Sequence, residues 1–407
     1  MEATLKKNVN LLLFYTSLMM TTNFMYQVVF NLFLRDLGIP NSAIGNITSA
    51  ALWGSALLGL AVSVAADMIG RKKMLVLAAV IVPICGIAMA FTTNFAALWI
   101  FSFLKGGFRV VGHTVILAAM ASFTGTGERA RMFGLNAGLM MGSGVLGNFL
   151  GGLVGDLAGM QSTLVLSMIM HLTCLIPAIA IDAPQTRSKM KDLFDFKGLN
   201  PEQRKILGYF FSSTLAVGFG AGLFIHFGNL IFRDLFALSA TLIGVILSIS
   251  QLGTAVGSSL SHVFGRRFGP LKFVLVMQVM VVPLMLAMAF IREPFTFTTF
   301  YSLRFVFMNI TTPILSSVTF SFLPANKLST ISGINGLLNN VARAIAAMMF
   351  GYVVGVESEG YTSLFLVSAA FYAVGAIVAF LIFREFENNE ITKSLYQRPV
   401  SAGSQQR

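Results

Sequence analysis

Twelve apolar segments divide this chain, and each has about the length, roughly 20 residues, that an α-helix needs to cross a bilayer. Lipid offers no hydrogen-bond partner to the backbone, so segments that cross it as single spans must be helical. The sequence therefore predicts an all-α integral membrane protein. The predicted spans, numbered 1 to 12, are 9–34, 43–66, 74–92, 96–123, 132–155, 161–181, 206–232, 240–263, 271–291, 295–323, 329–354 and 360–383.

The charged residues confirm the class of protein by their scarcity. Only 11% of the 407 residues are charged, whereas soluble domains carry about 25%. The net charge of +12 could suit nucleic acid, but the basic residues stand in short clusters between spans, without interleaved aromatics. We therefore expect membrane lipids as partners and no nucleic acid.

The distribution of Lys and Arg predicts the orientation. The loops on one side hold only Arg35, Arg233 and Arg292, and the other basic clusters fall on the opposite side. Because cytoplasmic loops are enriched in Lys and Arg, both termini are predicted to be cytoplasmic. The sequence thus indicates a multi-pass protein of the cell (inner or plasma) membrane.

The two halves of the chain repeat each other. Span 1 closes with residues 31–37 (NLFLRDL) and span 7 with 229–235 (NLIFRDL), which agree at five of seven positions. We match Arg109 of span 4 to Arg304 of span 10. Such duplication predicts two pseudo-symmetric six-helix bundles around a central cavity, as in secondary transporters. The predicted parts are a first bundle (1–182), a cytoplasmic linker (183–205), a second bundle (206–390) and a cytoplasmic tail (391–407).

The loop after span 2 carries a short motif. Asp67, Gly70 and Arg71 have the spacing of G-x-x-x-D-x-x-G-R-[RK], and the loop after span 8 matches it with Gly265 and with His262 at the position of Asp67. By this motif and its repeat, the chain resembles the major facilitator superfamily. The resemblance implies a secondary transporter that works by alternating access. It also implies that Asp67, Gly70 and Arg71 form a cytoplasmic gating latch.

Span 5 is rich in glycine. Its glycine spacing resembles the family's antiporter motif, which ends G-P-x-x-G-G, with Asn148 in the place of the proline and Gly151 and Gly152 at the end. Close helix packing explains the same glycines. A multidrug or efflux proton antiporter of the same fold therefore stays open as the alternative.

Polar residues inside the spans mark a candidate substrate site, because charges in the membrane are costly and usually functional. Three stripes repeat at every fourth residue, on spans 1, 4 and 11, so each occupies one helix face. We expect them around a shared cavity. The predicted substrate-binding residues are Asn23, Gln27, Lys105, Arg109, His113, Arg304, Asn335, Asn339 and Arg343, with Asn31, Gln251 and Asn309 as weaker candidates.

Carboxylates are missing from the middle of every span. Proton-coupled exporters of cationic drugs usually need one there. A cavity with several cations and no carboxylate instead favours a small organic anion or a polar-headed amphiphile as substrate. We expect a coupling ion, a proton, beside this small-molecule substrate, and a monomeric protein.

Other classes lack their sequence signals. The chain has no G-x-x-x-x-G-K-[ST] phosphate-binding loop, and its four His and two Cys are scattered. We therefore expect no cofactor, no metal and no enzymatic activity, and we interpret every His except His113 as an ordinary packing residue. A non-transporting sensor or scaffold is the alternative from another class, and a large soluble domain would favour it.

Overall fold

The computed structural model describes residues 2–59, 61, 69–124, 126–181, 198–324, 327–355 and 359–396. One helix corresponds to each predicted span, and a short helix α13 follows. The helices are α1 (Glu2–Asp36), α2 (Asn41–Trp53, continued by a π-helical turn at Gly54–Leu58), α3 (Arg71–Ala90), α4 (Phe95–Phe123), α5 (Thr126–Ala158), α6 (Met160–Leu172 and Leu175–Ala180), α7 (Pro201–Gly222 and Gly228–Phe236), α8 (Ala240–Phe268), α9 (Pro270–Phe290), α10 (Pro294–Ser321), α11 (Leu328–Val354), α12 (Gly360–Phe386) and α13 (Glu390–Tyr396).

Within the described residues, the ten helices α3 to α12 are each long enough and apolar enough to cross a membrane. With α1 and α2 they form the twelve-helix architecture that the sequence predicted. The predicted linker overlaps the start of α7 at Pro201, and its residues 183–197 lie outside the described ranges. The domain boundaries therefore stay predictions.

Side-chain caps set the starts of several helices. Asn94 accepts a hydrogen bond from the Ala97 backbone N–H at the start of α4, and Ser239 caps α8 in the same way. Asn200 and Gln203 form a reciprocal capping box at the start of α7. Each cap satisfies backbone donors that have no partner within the helix. Short polar segments thus end one membrane helix and begin the next.

Equivalent helices pack in the same pairs in both halves. Helix α1 packs on α5 and α6, and α7 packs on α11 and α12; likewise α3 packs on α4, and α9 on α10. Between the halves, α2 contacts α11, and its counterpart α8 contacts α5. This exchange of partners is the pattern that a pseudo-twofold arrangement of two six-helix bundles produces.

Helix starts correct one match made from the sequence. Lys105 stands ten residues after Phe95, the first residue of α4, and Arg304 stands ten residues after Pro294, the first residue of α10. Arg304 is therefore the counterpart of Lys105, and the match to Arg109 is wrong by one turn. The error arose because two cations lie one turn apart on the same face of α4.

The surroundings of the two cations support this register. The Nζ atom of Lys105 lies 3.3 Å from the centroid of the Tyr26 ring. The guanidinium carbon of Arg304 lies 5.1 Å from the centroid of the Phe224 ring. Tyr26 precedes Asn31 by five residues, and Phe224 precedes Asn229 by five. The two cation–π contacts are thus copies of one another.

A second correction concerns the loop motif. Gly70 precedes α3 with a φ of 111°, and the glycine that precedes α9 with a φ of 86° is Gly269. Gly265 instead lies inside α8, so the match of Gly70 to Gly265 was wrong by four residues, and Arg266 rather than His262 stands at the position of Asp67. These φ values favour glycine because a Cβ is strained there.

The predicted latch is only partly within the described residues. Arg71 donates a hydrogen bond to the Ser122 hydroxyl at 3.2 Å and so ties α3 to α4. Asp67 lies outside the described residues. The gating role of Asp67, Gly70 and Arg71 therefore stays a prediction.

Four glycines bring the two bundles into backbone contact on one side of the molecule, the side at which α1 ends, which we call the Arg35 side. A Cβ at Gly45 of α2 would lie 2.6 Å from the Ala347 carbonyl oxygen of α11, and a Cβ at Gly351 of α11 would lie closer still to the Ser42 backbone of α2. In the other pair of helices, Gly152 of α5 meets α8 and Gly244 of α8 meets α5. These glycines permit the close approach on which helix association in membranes depends.

Hydrogen bonds across the bundles cluster on the same side. The Asn31 side-chain amide donates to the His226 carbonyl at 2.8 Å, and the Asn229 amide donates to the Val28 carbonyl at 2.7 Å. Asn31 thus binds the carbonyl of the residue three positions before Asn229, and Asn229 binds the carbonyl of the residue three positions before Asn31. Arg35 adds an ion pair with Asp234 at 3.1 Å.

Asp156 adds another contact between the bundles on the Arg35 side. Its carboxylate accepts hydrogen bonds from the backbone N–H groups of Ala240 and Thr241, at 2.9 and 2.8 Å. Those groups begin α8, where the helix dipole favours a negative charge. The first bundle therefore provides the anion that stabilises a helix start in the second.

The opposite side, at which α3 begins, is the Gly70 side, and there the bundles separate. Gly134 and Gly138 of α5, and Gly333 and Gly336 of α11, have nothing within 4 Å of a Cβ placed on them. These glycines lie farther along α5 and α11, the same helices that make close contacts on the Arg35 side. Among the described residues, the bundles thus meet closely on the Arg35 side, whereas these four glycines toward the Gly70 side face open space.

The glycine contacts give the first prediction. Gly152→Val should weaken the contact of α5 with α8, because the added methyl groups would meet the Ala240 carbonyl. Overpacking costs about 1–3 kcal/mol, so the population opened on the Arg35 side should rise about tenfold or more. Labelling of a cysteine at Leu247, which lines the cavity, by an impermeant thiol reagent added on that side measures the change.

Gly208→Val is the matched control, because nothing lies within 4 Å of a Cβ at Gly208. If both variants label at the wild-type rate, the glycine contact does not hold the Arg35 side closed.

The carboxylates give the second prediction. Asp156→Asn removes the charge and one acceptor from the start of α8, so it should favour opening on the Arg35 side by about 0.3–1 kcal/mol. Asp67→Asn should act in the opposite direction and favour the state open to the cytoplasm. Cysteine accessibility measured on both sides distinguishes the two shifts. If both variants change cysteine accessibility in the same direction, Asp156 and Asp67 do not act as latches on opposite sides of the protein.

Candidate functional site

A cavity lies between the bundles, at the level where the contacts of the Arg35 side end. Its central chamber encloses about 320 Å³, the size of a small-molecule site. A side chamber extends into the first bundle between α1, α2 and α4, past Tyr26, Ser102 and Lys105. The two chambers share four lining residues, which are Gln27, Leu52, Arg109 and His226.

The chambers bring together cations from both bundles. Arg109 lies in the middle of α4 and Arg343 in the middle of α11, and both line the central chamber. Lys105, one turn before Arg109, lines the side chamber. The sequence predicted each of these three as a substrate-binding residue, and the structure places all three at the cavity.

Neither cavity-lining arginine is paired. Within the described part of the chain, Arg109 and Arg343 have no hydrogen bond or ion pair with another residue, and Nε of Arg343 is buried without a partner. Guanidinium groups present five donors in a planar fork. The cavity therefore holds two sets of free, charged donors, one from each bundle.

His226 lines both chambers, together with Arg109, and it lines the central chamber together with Arg343. Its Nε2 atom is buried and has no partner among the described residues. A 3₁₀ turn at Ile225–Phe227 interrupts α7 here and releases the His226 carbonyl to accept the bond from Asn31. The break in α7 thus turns the imidazole toward the cavity while its backbone joins the bundles.

Amides and aromatic rings form the rest of the central chamber. Because amides both donate and accept hydrogen bonds, they suit a polar solute, and the rings provide an apolar wall. The amide-bearing residues are Gln27, Asn148, Asn229, Gln251 and Asn340. The aromatic residues are Phe24, Tyr301 and Phe305.

Of the described residues that line the two chambers, none is Asp or Glu. Asp234 pairs with Arg35 and accepts a hydrogen bond from the Tyr361 hydroxyl at 2.6 Å. Asp156 is bound to the start of α8. The electrostatic character of the cavity is therefore positive.

The structure places other predicted residues elsewhere. Arg304 is only 2% exposed, donates a hydrogen bond to the Tyr372 hydroxyl and lines neither chamber. Asn335 accepts a hydrogen bond from Thr214 at 2.6 Å, and Asn339 faces Gly218, so both contact α7. His113 also lies outside the lining of both chambers.

The polar stripe of span 1 therefore lines the cavity, whereas only part of the polar stripe of span 11 does so. Asn23 and Gln27 line the cavity as predicted. On α11 the residues that line the cavity are Asn340 and Arg343. Of the predicted stripe of Asn335, Asn339 and Arg343, only Arg343 is among them. His226 was missed because it lies in no stripe; Gly222 and Gly228, at either end of the break in α7, were the available signal.

An internally duplicated twelve-helix protein with a cavity between its halves, sealed on one side, has the architecture of a secondary transporter. The sequence profile of the Major Facilitator Superfamily matches residues 12–347. The chain belongs to that family of transporters. No curated protein sequence matches it.

Solved structures share the fold. A bacterial homologue of the human lysosomal transporter Spinster, in an inward-facing and occupied conformation, is similar with a TM-score of 0.75 and 14% identity, over 93% of this chain and 96% of that one. The nucleoside transporter NupG is similar with a TM-score of 0.75 and 14% identity, over 93% of this chain and 98% of that one. At such identity the likeness shows the fold alone.

The different surroundings of Arg304 and Arg109 give the third prediction. Arg304→Gln removes a buried partner of Tyr372 and its aromatic contacts, so it should destabilise the protein by about 1–3 kcal/mol. Arg109→Gln removes an unpaired charge and should leave the melting temperature unchanged or higher. Thermal unfolding of the two purified variants without solute tests this, and equal loss in both would contradict it.

Proposed function

We propose that this protein is a secondary transporter that moves a small organic anion or polar-headed amphiphile by alternating access. The observation that carries the proposal is the pair of unpaired guanidinium groups, Arg109 and Arg343, at one cavity whose described lining holds no carboxylate. A charge inside a membrane is costly unless it is compensated. A bound anion compensates it.

The direction of opening supports alternating access. If both termini are cytoplasmic, as Lys and Arg indicate, the Gly70 side faces the cytoplasm, and the open space at its glycines fits an inward-facing state. The similar Spinster homologue was solved inward-facing. The outward-facing state would then form by separation at Gly45 and Gly152 and by approach of the helices at Gly138 and Gly336.

The cavity also bears on the coupling ion. Lys105 and His226 are lining groups that can each gain or lose a proton at accessible pH when their surroundings change. We therefore propose a proton as the coupling ion and these two side chains as its candidate carriers. A complete cavity within one chain is consistent with a functional monomer.

The efflux antiporter is the weaker alternative. The glycines that resemble an antiporter motif have a packing role, since Gly147 and Gly151 contact α1 and Gly152 contacts α8. A lipophilic cation would have to bind beside Arg109 and Arg343 without a carboxylate.

The fourth prediction tests the charge of the substrate. Arg109→Gln and Arg343→Gln should each lower anion affinity about tenfold to a hundredfold, because a hydrogen bond to a charged group contributes about 1.5–3 kcal/mol. Arg109→Lys keeps the charge but loses the bidentate fork, so it should bind weakly. Uptake or efflux of a panel of anionic, neutral and cationic solutes in vesicles measures the effect.

Arg204→Gln, which changes an exposed arginine at the start of α7, controls for a general loss of positive charge. The anion proposal is wrong if the wild type moves lipophilic cations and both cavity variants move them equally well. The efflux antiporter then takes its place.

A further inference from the structure

We propose that the solute carries two anionic groups at separate ends, one bound by Arg109 of the first bundle and the other by Arg343 of the second. A small dicarboxylate is the simplest member of this class. The inference rests on the proposed function and narrows it from an anion to a dianion.

The first argument is the balance of charge. Arg109 and Arg343 line one chamber, and neither has a hydrogen bond or ion pair with another described residue. A monoanion that pairs with one guanidinium leaves the other uncompensated in a medium where isolated charge is costly. Two anionic groups compensate both, while the third cation at the cavity, Lys105, lies against the Tyr26 ring, with its Nζ atom 3.3 Å from the ring centroid.

The second argument is the layout of the cavity. Arg109 lies where the side and central chambers meet, whereas Arg343 lines only the central chamber, so the two guanidinium groups serve different parts of the cavity. His226 lines the central chamber with both arginines, and its Nε2 atom has no partner among the described residues. Leu247 and Phe305 supply apolar wall in the central chamber, which suits the carbon chain that would join two anionic ends.

The third argument is the origin of the cations in opposite bundles. A carboxylate matches the guanidinium fork in a bidentate pair, so each end of the solute gains a directional contact. A solute bound at both ends links the bundles through the cavity and screens the repulsion between their charges. Binding of the dianion would therefore favour closure on the Gly70 side, where the bundles now stand apart.

The experiment compares dicarboxylates of three to six carbons with monocarboxylates of the same lengths. Dissociation constants are measured by calorimetry or thermal stabilisation on the full-length purified protein. We expect at least one dicarboxylate to bind wild-type protein about tenfold or more tightly than its matched monocarboxylate. In Arg109→Gln and in Arg343→Gln, this ratio should fall to about one.

The variants Arg109→Lys and Arg343→Lys keep a charge at each position and should retain part of the ratio, and they serve if a glutamine variant does not fold. Arg204→Gln, at an exposed residue outside both chambers, should keep the full ratio. Monocarboxylates that bind as tightly as dicarboxylates, or a ratio that survives in both glutamine variants, would overturn the dianion and leave the anion transporter intact. Binding of lipophilic cations in place of any anion would overturn the proposed function itself.

Discussion

The contact of helix backbones at four glycines determines where the cavity can lie. At Gly45 with Gly351 and at Gly152 with Gly244, no side chain separates the bundles, so α2 touches α11 and α5 touches α8 on the Arg35 side. Small residues allow this approach because lipid provides no hydrophobic force between helices, and dispersion and hydrogen bonds need short distances. The cavity begins where these contacts end. The free glycines farther along α5 and α11 leave it open toward the Gly70 side.

Duplication separates the parts of the molecule that hold it together from the parts that recognise a solute. The glycine contacts, the amides of Asn31 and Asn229, and the stacked cations Lys105 and Arg304 occur in both halves. The central cations do not. At the equivalent positions of the other half, Met308 corresponds to Arg109 and Gly144 corresponds to Arg343. The two guanidinium groups of the central chamber are thus single, whereas Lys105, which lines the side chamber, has a counterpart in Arg304.

Much of the fold could be predicted from the sequence, because apolar length and the placement of Lys and Arg report directly on a bilayer. The pairing of the halves could be predicted only to within a turn. Lys105 and Arg109 share a helix face, so sequence could not decide which one matches Arg304. On α11, Asn335 and Asn339 repeat with the same spacing as cavity-lining residues, but Asn335 hydrogen bonds to α7 and Asn339 packs against it, which spacing alone does not reveal.

The interruption of α7 has a consequence for how such a site can diverge. Helix α1 is continuous from Glu2 to Asp36, and Val28 occupies the place that corresponds to His226. The imidazole is held at the cavity by an irregular backbone that only one copy of the repeat possesses. Exchange of side chains between the copies could therefore not reproduce it. A duplicated ancestor could acquire new specificity by deforming one copy, while the regular copy preserved the scaffold.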